Sequence, residues 1–154
     1  MNEQLKRMLA AVLMLVSAVP VALAHCQIPC GIYGDDTRFT LMREDVTTIE
    51  KSMKEIDRIG KATAPDNNQL VRWVTNKEAH ADALAEIVTS YFMAQRLKPV
   101  PEDKTPEYAK YVKELTLLHQ ILVESMKAKQ TTSLEHCTQL RTLIDQFEKS
   151  YTGK

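Results

Sequence analysis

A chain of 154 residues, 44% of them apolar, holds one domain of ordinary size. Its 20 basic and 20 acidic side chains cancel and no basic block or basic helix face stands out, which excludes a nucleic-acid surface and electrostatic attachment to a membrane. Only four glycines and six prolines interrupt it, and no alternation of period two competes with a helical reading.

Residues 1–24 have the three parts of a secretory signal. Lys6 and Arg7 supply a positive start, residues 8–19 are an uncharged apolar run, and Pro20 with Ala22-Leu23-Ala24 makes a cleavage site. The alternative is a membrane anchor, for which a stretch of about 17 residues stands at the short limit. Cleavage after Ala24 leaves residues 25–154 with one net negative charge, in a periplasm or outside the cell, and with no stable membrane association. Signal peptidase is then the partner in maturation. Export also places the three cysteines, Cys26, Cys30 and Cys137, where thiols tend to oxidise.

Residues 25–36 carry Pro29, Gly31 and Gly34 without a helical period and read as a hook. A first helix starts at 36 or 37, with Val46, Ile49, Met53 and Ile56 on one face and Gly60 at its stop. A second covers 65–96, opened by Pro65, with Leu70, Val74, Lys77, Ala81, Leu84, Val88 and Tyr91 in a stripe that Trp73, His80 and Ile87 broaden. Pro99, Pro101 and Pro106 make a rigid connection. A third helix follows over about 106–129, with Tyr108, Tyr111, Leu115, Leu118, Leu122 and Ser125 facing inward. Thr132 and Glu135 have capping-box spacing and open a fourth, with Leu134, Cys137, Arg141, Ile144 and Phe147 near one face and Leu140 beside it. Four amphipathic helices on short connections predict an all-α fold, an up-down-up-down antiparallel four-helix bundle over about 36–151 with an N-terminal metal-binding hook.

The hook owes its metal chemistry to covalent proximity. After cleavage the α-amine of His25 and the amide nitrogen of Cys26 close a five-membered ring around a metal, and that amide with the Cys26 thiolate closes another. The fused rings favour a planar site. Cys30 can fold back as the fourth in-plane ligand across a turn shaped by Pro29 and Gly31, and the His25 imidazole can add an axial fifth. Two nitrogens and two thiolates in a plane suit nickel(II) or copper(II), whereas structural zinc wants a tetrahedron. Copper stays open, but thiolates tend to reduce copper(II), so nickel is the better reading. The anionic donors bring trivalent nickel within reach, so an open site there suits a small one-electron substrate.

His25-Cys26-Gln27-Ile28-Pro29-Cys30-Gly31-Ile32-Tyr33 resembles the hook of nickel-containing superoxide dismutase, H-C-x-x-P-C-G-x-Y. The resemblance extends to about residue 151 in helical layout and in the pair Tyr91-Phe92, but the hook alone is specific. It implies disproportionation of superoxide to dioxygen and hydrogen peroxide by Ni(III)/Ni(II) cycling, one nickel ion per subunit, maturation by proteolysis and a homohexamer. It makes His25, Cys26 and Cys30 the metal ligands, places Tyr33 beside the open face, where it orders water and limits access, and puts Tyr91 close to the site as a second tyrosine. Two departures stand out. Gln27 occupies a position that is acidic in many family members. A glutamate on the first helix and an arginine on the second hold the axial imidazole in better-known members, and by helix register these places fall near Met42 and on His80. His80 is either a satisfied buried ring or takes over part of that role.

The other candidates read as packing. Cys137 is a small buried hydrophobe, Trp73, Tyr108 and Tyr111 are core or interface residues, and His119 and His136 carry no assigned chemistry. Two other functions compete with the enzyme. One is a nickel or copper carrier with the same hook and no turnover; the other is a helical adaptor whose Cys26 and Cys30 form a disulfide. Tyr33 directly after the hook, with a bundle large enough to enclose it, favours the dismutase, because a carrier needs exposure for transfer.

Overall fold

In the computed structural model the described residues are 34–153; the signal segment and the hook, with its His25, Cys26, Cys30 and Tyr33, lie outside them. Helix α1 is Asp35–Gly60, α2 is Asn67–Glu86 and continues as a π-helical segment Ile87–Arg96, α3 is Thr105–Gln130 and α4 is Glu135–Thr152. The expected all-α four-helix bundle is therefore present. No described helix is long and apolar enough to cross a membrane.

Pairings across the bundle give its direction. Along α1 and α2 the partners are Asp35 with Tyr91, Asp45 with His80 and Ser52 with Asn76, so numbers rise on one helix as they fall on the other. The same holds for α2 and α3 (Lys77 with Ala128, Ala81 with Ser125), for α3 and α4 (Glu114 with Ser150, Glu124 with His136), and for α1 and α4 (Asp35 with Tyr151, Arg43 with Asp145, Met53 with Cys137). Each helix runs antiparallel to its chain neighbour, and the last returns to the first.

In α1 the buried face is Phe39, Met42, Val46, Ile49, Met53 and Ile59, spaced mostly by three and four. It continues toward the N-terminus beyond the expected stripe, and Ile59 closes it in place of Ile56 and Gly60. Asp35 and Asp36 in the first turn and Arg58 in the last complement the helix dipole. Asp66, one residue past Pro65, caps α2 by accepting from the Gln69 N–H at 3.0 Å.

Three local expectations are corrected. The second helix is not α-helical throughout, because its last ten residues wind as a π-helix. The Thr132–Glu135 capping box does not form. Instead the Ser133 N–H donates to Thr131 Oγ1 at 3.2 Å, and α4 begins at Glu135 without a side-chain cap. In α3 the buried face is Glu114, Leu117, Leu118, Ile121, Ser125 and Ala128: the expected Leu118 and Ser125 are on it and Leu122 packs half-buried against the core, while Tyr108, Tyr111 and Leu115 are only half-buried. Leucine and isoleucine on both sides of Leu118 made the two faces equivalent by pattern. Gly153 ends α4 at φ +72°, a left-handed conformation that a side chain would strain, and its N–H bonds the Lys149 carbonyl at 3.1 Å.

The core changes character along its length. At one end the Phe39, Phe92 and Phe147 rings lie with centroids 4.9–5.7 Å apart, and Tyr151 packs against all three. At the other end Met53, Ala81 and Cys137 fill the interior, and Lys77, only 4% exposed, points its ammonium at the end of α3.

Candidate functional site

Two of the polar clusters in the bundle each contain one of the residues singled out on the second helix. The first centres on Tyr91, which is 3% exposed. Its hydroxyl donates to Asp35 Oδ1 at 2.6 Å and accepts from Arg96 Nε at 3.1 Å and Nη2 at 2.8 Å. Asp35 also accepts from the Tyr151 hydroxyl through Oδ2 at 3.1 Å and pairs with Arg96 at 3.1 Å. Burial and the neighbouring carboxylate hold both phenols protonated: Tyr91 is raised above the usual tyrosine range, and Tyr151 is pushed up to about 12. The guanidinium groups of Arg38 and Arg96 lie over the Tyr91 ring, 5.1 and 4.9 Å from its centroid.

The second cluster is a dyad. His80 Nδ1 lies 2.7 Å from Asp45 Oδ1, joining α2 to α1. Asp45 is buried, which raises its carboxyl above the usual aspartate range, and the contact with His80 pulls the other way. The His80 side chain keeps 37% of its surface exposed, so it is not the sealed core ring of the bland alternative. The two clusters are separate: Asp35 and Asp45 stand ten residues apart on one helix, about 15 Å of axial rise. Met42, the other position flagged by register, is fully buried in the apolar core and carries no polar contact that could hold an imidazole.

The remaining candidates behave as packing groups. Cys137 is fully buried with its sulfur 3.6 Å from that of Met53, and burial pushes its thiol up to about 11, which disfavours the thiolate a metal needs. His136 is half-buried and bonds Glu124 across the α3–α4 contact at 2.9 Å, while His119 is exposed. Tyr108 and Tyr111 pack on each other with centroids 6.4 Å apart, outside the core.

Asp35, Arg96, Tyr151 and Asp45 were not singled out from sequence. A weak signal existed for Asp45: it stands three residues after Met42 and four before Ile49, an acid on an apolar stripe. Arg96 read as an ordinary cation in the last turn of a helix.

Among the described residues no group of three histidine, cysteine or carboxylate side chains could hold a metal ion. The donor set suited to a metal stands in sequence before Gly34. The family model of nickel-containing superoxide dismutase matches residues 20–154, and the chain belongs to that family. No curated protein and no solved structure matches it.

Proposed function

We propose that this chain is a nickel-dependent superoxide dismutase whose metal is held by the hook of residues 25–30 after cleavage behind Ala24. The observation that carries the reading is the family match over residues 20–154, which takes in the whole H-C-x-x-P-C-G-x-Y run and the whole bundle. The donors fit the metal: the amine and imidazole of His25, the amide and thiolate of Cys26, and the thiolate of Cys30 are a soft and nitrogenous set that would hold nickel. Nickel bound there would supply the one-electron couple that superoxide dismutation needs.

The chain's own residues have the remaining roles. Tyr33 and Tyr91 limit access, so that a small anion enters and larger reductants do not. His80, held by Asp45 through Nδ1, presents Nε2 as the support for the His25 imidazole. The nine residues 25–33 reach about 30 Å when extended, enough to bring His25 to His80. The mature protein is exported, to a periplasm or beyond the cell, and assembles as a hexamer.

The test combines three measurements on the exported protein: intact mass, nickel content and superoxide decay. A chain beginning at His25 with one nickel per subunit and rapid decay is expected. Any other first residue removes the α-amine from the ligand set and defeats the proposal, and nickel without turnover turns the protein into a carrier.

The dyad makes a separate prediction. His80→Ala should keep nickel and both in-plane sulfurs, weaken the axial nitrogen signal in the electron spin resonance spectrum of the oxidised protein, and slow the cycle. Asp45→Asn, which keeps the ring but loosens its hold, should act in the same direction and less strongly. An unchanged spectrum with unchanged turnover in His80→Ala would return His80 to a packing role.

A further inference from the structure

The Tyr91 phenol is held more tightly than packing requires. A tyrosine buried among phenylalanines is satisfied by one hydrogen-bond partner. Here the hydroxyl has its proton directed at Asp35 and its oxygen occupied by two nitrogens of Arg96. The ring has Phe92 edge-on at 5.1 Å, and the guanidinium groups of Arg38 and Arg96 lie over it. The carboxylate that receives the proton is fixed in turn, with Oδ2 taken by Tyr151 from α4. Phenylalanine at 91 and 151 would fill the same space and need neither Asp35 nor Arg96 beside it.

The π-helical segment serves this arrangement. In an α-helix residues five apart point in different directions, whereas a π-helix closes its turn between i and i+5. The Leu97 N–H bonds the Phe92 carbonyl at 2.8 Å, the Gln95 side chain bonds the Ser90 carbonyl at 2.7 Å, and Arg96 returns to Tyr91, all five residues apart. The widened turn lets one segment supply both the phenol and the cation over it. Asp35, the first residue of α1, then brings the opposite charge two positions after Tyr33.

We propose that Asp35, Arg96 and Tyr151 are positioning residues for the dismutation reaction, and that they fix the Tyr91 hydroxyl as a protonated group in a single orientation at the entrance to the metal site. The proposal rests on the dismutase reading, since it needs Tyr91 to face the substrate's approach. Among the described residues the charged and titratable groups facing this hydroxyl are Asp35 and Arg38 from α1, Arg96 from its own segment and Tyr151 from α4.

Asp35→Asn separates a positioning role from a merely structural one. Asparagine keeps the shape and removes the anion, leaving Arg96 beside the phenol. In the metal-free mature protein, the near-ultraviolet absorbance of phenolate should then rise at a pH lower by about one unit or more. In the nickel-loaded protein the alkaline fall of kcat/KM should move down by a similar interval, with nickel content and circular dichroism unchanged. Tyr151→Phe retains the carboxylate and should lower kcat/KM by a smaller factor without shifting the alkaline limb as far. A phenol titration and pH profile both unchanged in Asp35→Asn would overturn the proposal. So would a shifted titration with an unshifted profile, because the network would exist without governing turnover. If Asp35→Asn does not fold, Tyr151→Phe decides, and wild-type kcat/KM in it is the overturning result. Absence of superoxide decay in the nickel-loaded wild-type protein would defeat the dismutase reading itself, and that is visible before any variant is made.

Discussion

Cys26→Ser and Cys30→Ser are each expected to abolish superoxide dismutation while leaving the helices intact. A serine oxygen is nearly isosteric with the cysteine sulfur but hard and far less acidic, so it neither stays anionic at neutral pH nor donates electron density as a thiolate does. Some nickel should still bind through the amine, the amide and the remaining sulfur, in a weaker field and without an accessible trivalent state. The bundle is expected to fold without the metal, because its helices bury a continuous apolar core from Phe39 to Phe147. Cys137→Ser is the control. Its sulfur is buried against Met53 and its thiol stays protonated, so serine there should leave nickel and turnover intact and cost about 1–3 kcal/mol for burying a hydroxyl. Nickel content, superoxide decay and circular dichroism on the three variants test the set. Full activity in either hook variant would show that the paired thiolates are not the redox ligands.

Helix number, direction and most of the core were legible in the sequence because a helix writes its buried face into residue spacing. Val46, Ile49 and Met53 in α1, and Ala81, Leu84 and Val88 in α2, are buried as their periodicity requires. Where apolar residues surround more than half of a helix, spacing loses this power, and α3 with Leu115, Leu117, Leu118, Ile121 and Leu122 is the case in point. The π-helical turn was illegible for a different reason. Ten residues hold too few apolar positions to fix a period, and what distinguishes the two windings is bonding five residues apart, as from the Leu97 N–H to the Phe92 carbonyl and from Arg96 to Tyr91.

The candidate site divides in the same way. The hook could be argued from sequence because the chelate rings proposed for it use adjacent atoms on the chain, and covalent adjacency needs no fold. The groups around Tyr91 and His80 could not, since Asp35 meets Tyr151 across 116 positions and Asp45 meets His80 across 35. Each partner taken singly resembles a surface charge. Only antiparallel packing of α1 against both α2 and α4 turns them into pairs, and the register that does so is set by apolar contacts elsewhere in the bundle.

Lys77→Met is expected to cost about 2–4 kcal/mol of stability, a large share of the total for a small domain. Lys77 was expected on the apolar stripe of the second helix, and it is there, buried to 4% exposure. Its stem lies in the core while its ammonium crosses to the end of α3 and donates to the carbonyls of Ala128 and Thr131 at 3.0 Å each, and to that of Lys129 between them. The last carbonyls of a helix have no partner of their own and carry the negative end of its dipole, so a buried cation is the group they best accommodate. Burial pulls the ammonium below the usual lysine range, which measures what its position costs and what the carbonyl bonds must offset. Methionine keeps most of the volume and none of the donors, and leaves these carbonyls without the bonds in the α2–α3 contact. Ion pairs nearby do not replace them, because Lys129 is engaged with Asp82 at 2.7 Å and with Glu78 at 3.4 Å on the outer side of the junction. The measurement is the denaturant midpoint of the metal-free mature protein. A loss under about 0.5 kcal/mol, the range of ordinary surface substitutions, would mean that water serves these carbonyls as well as the ammonium does and that the stem alone makes Lys77 part of the core.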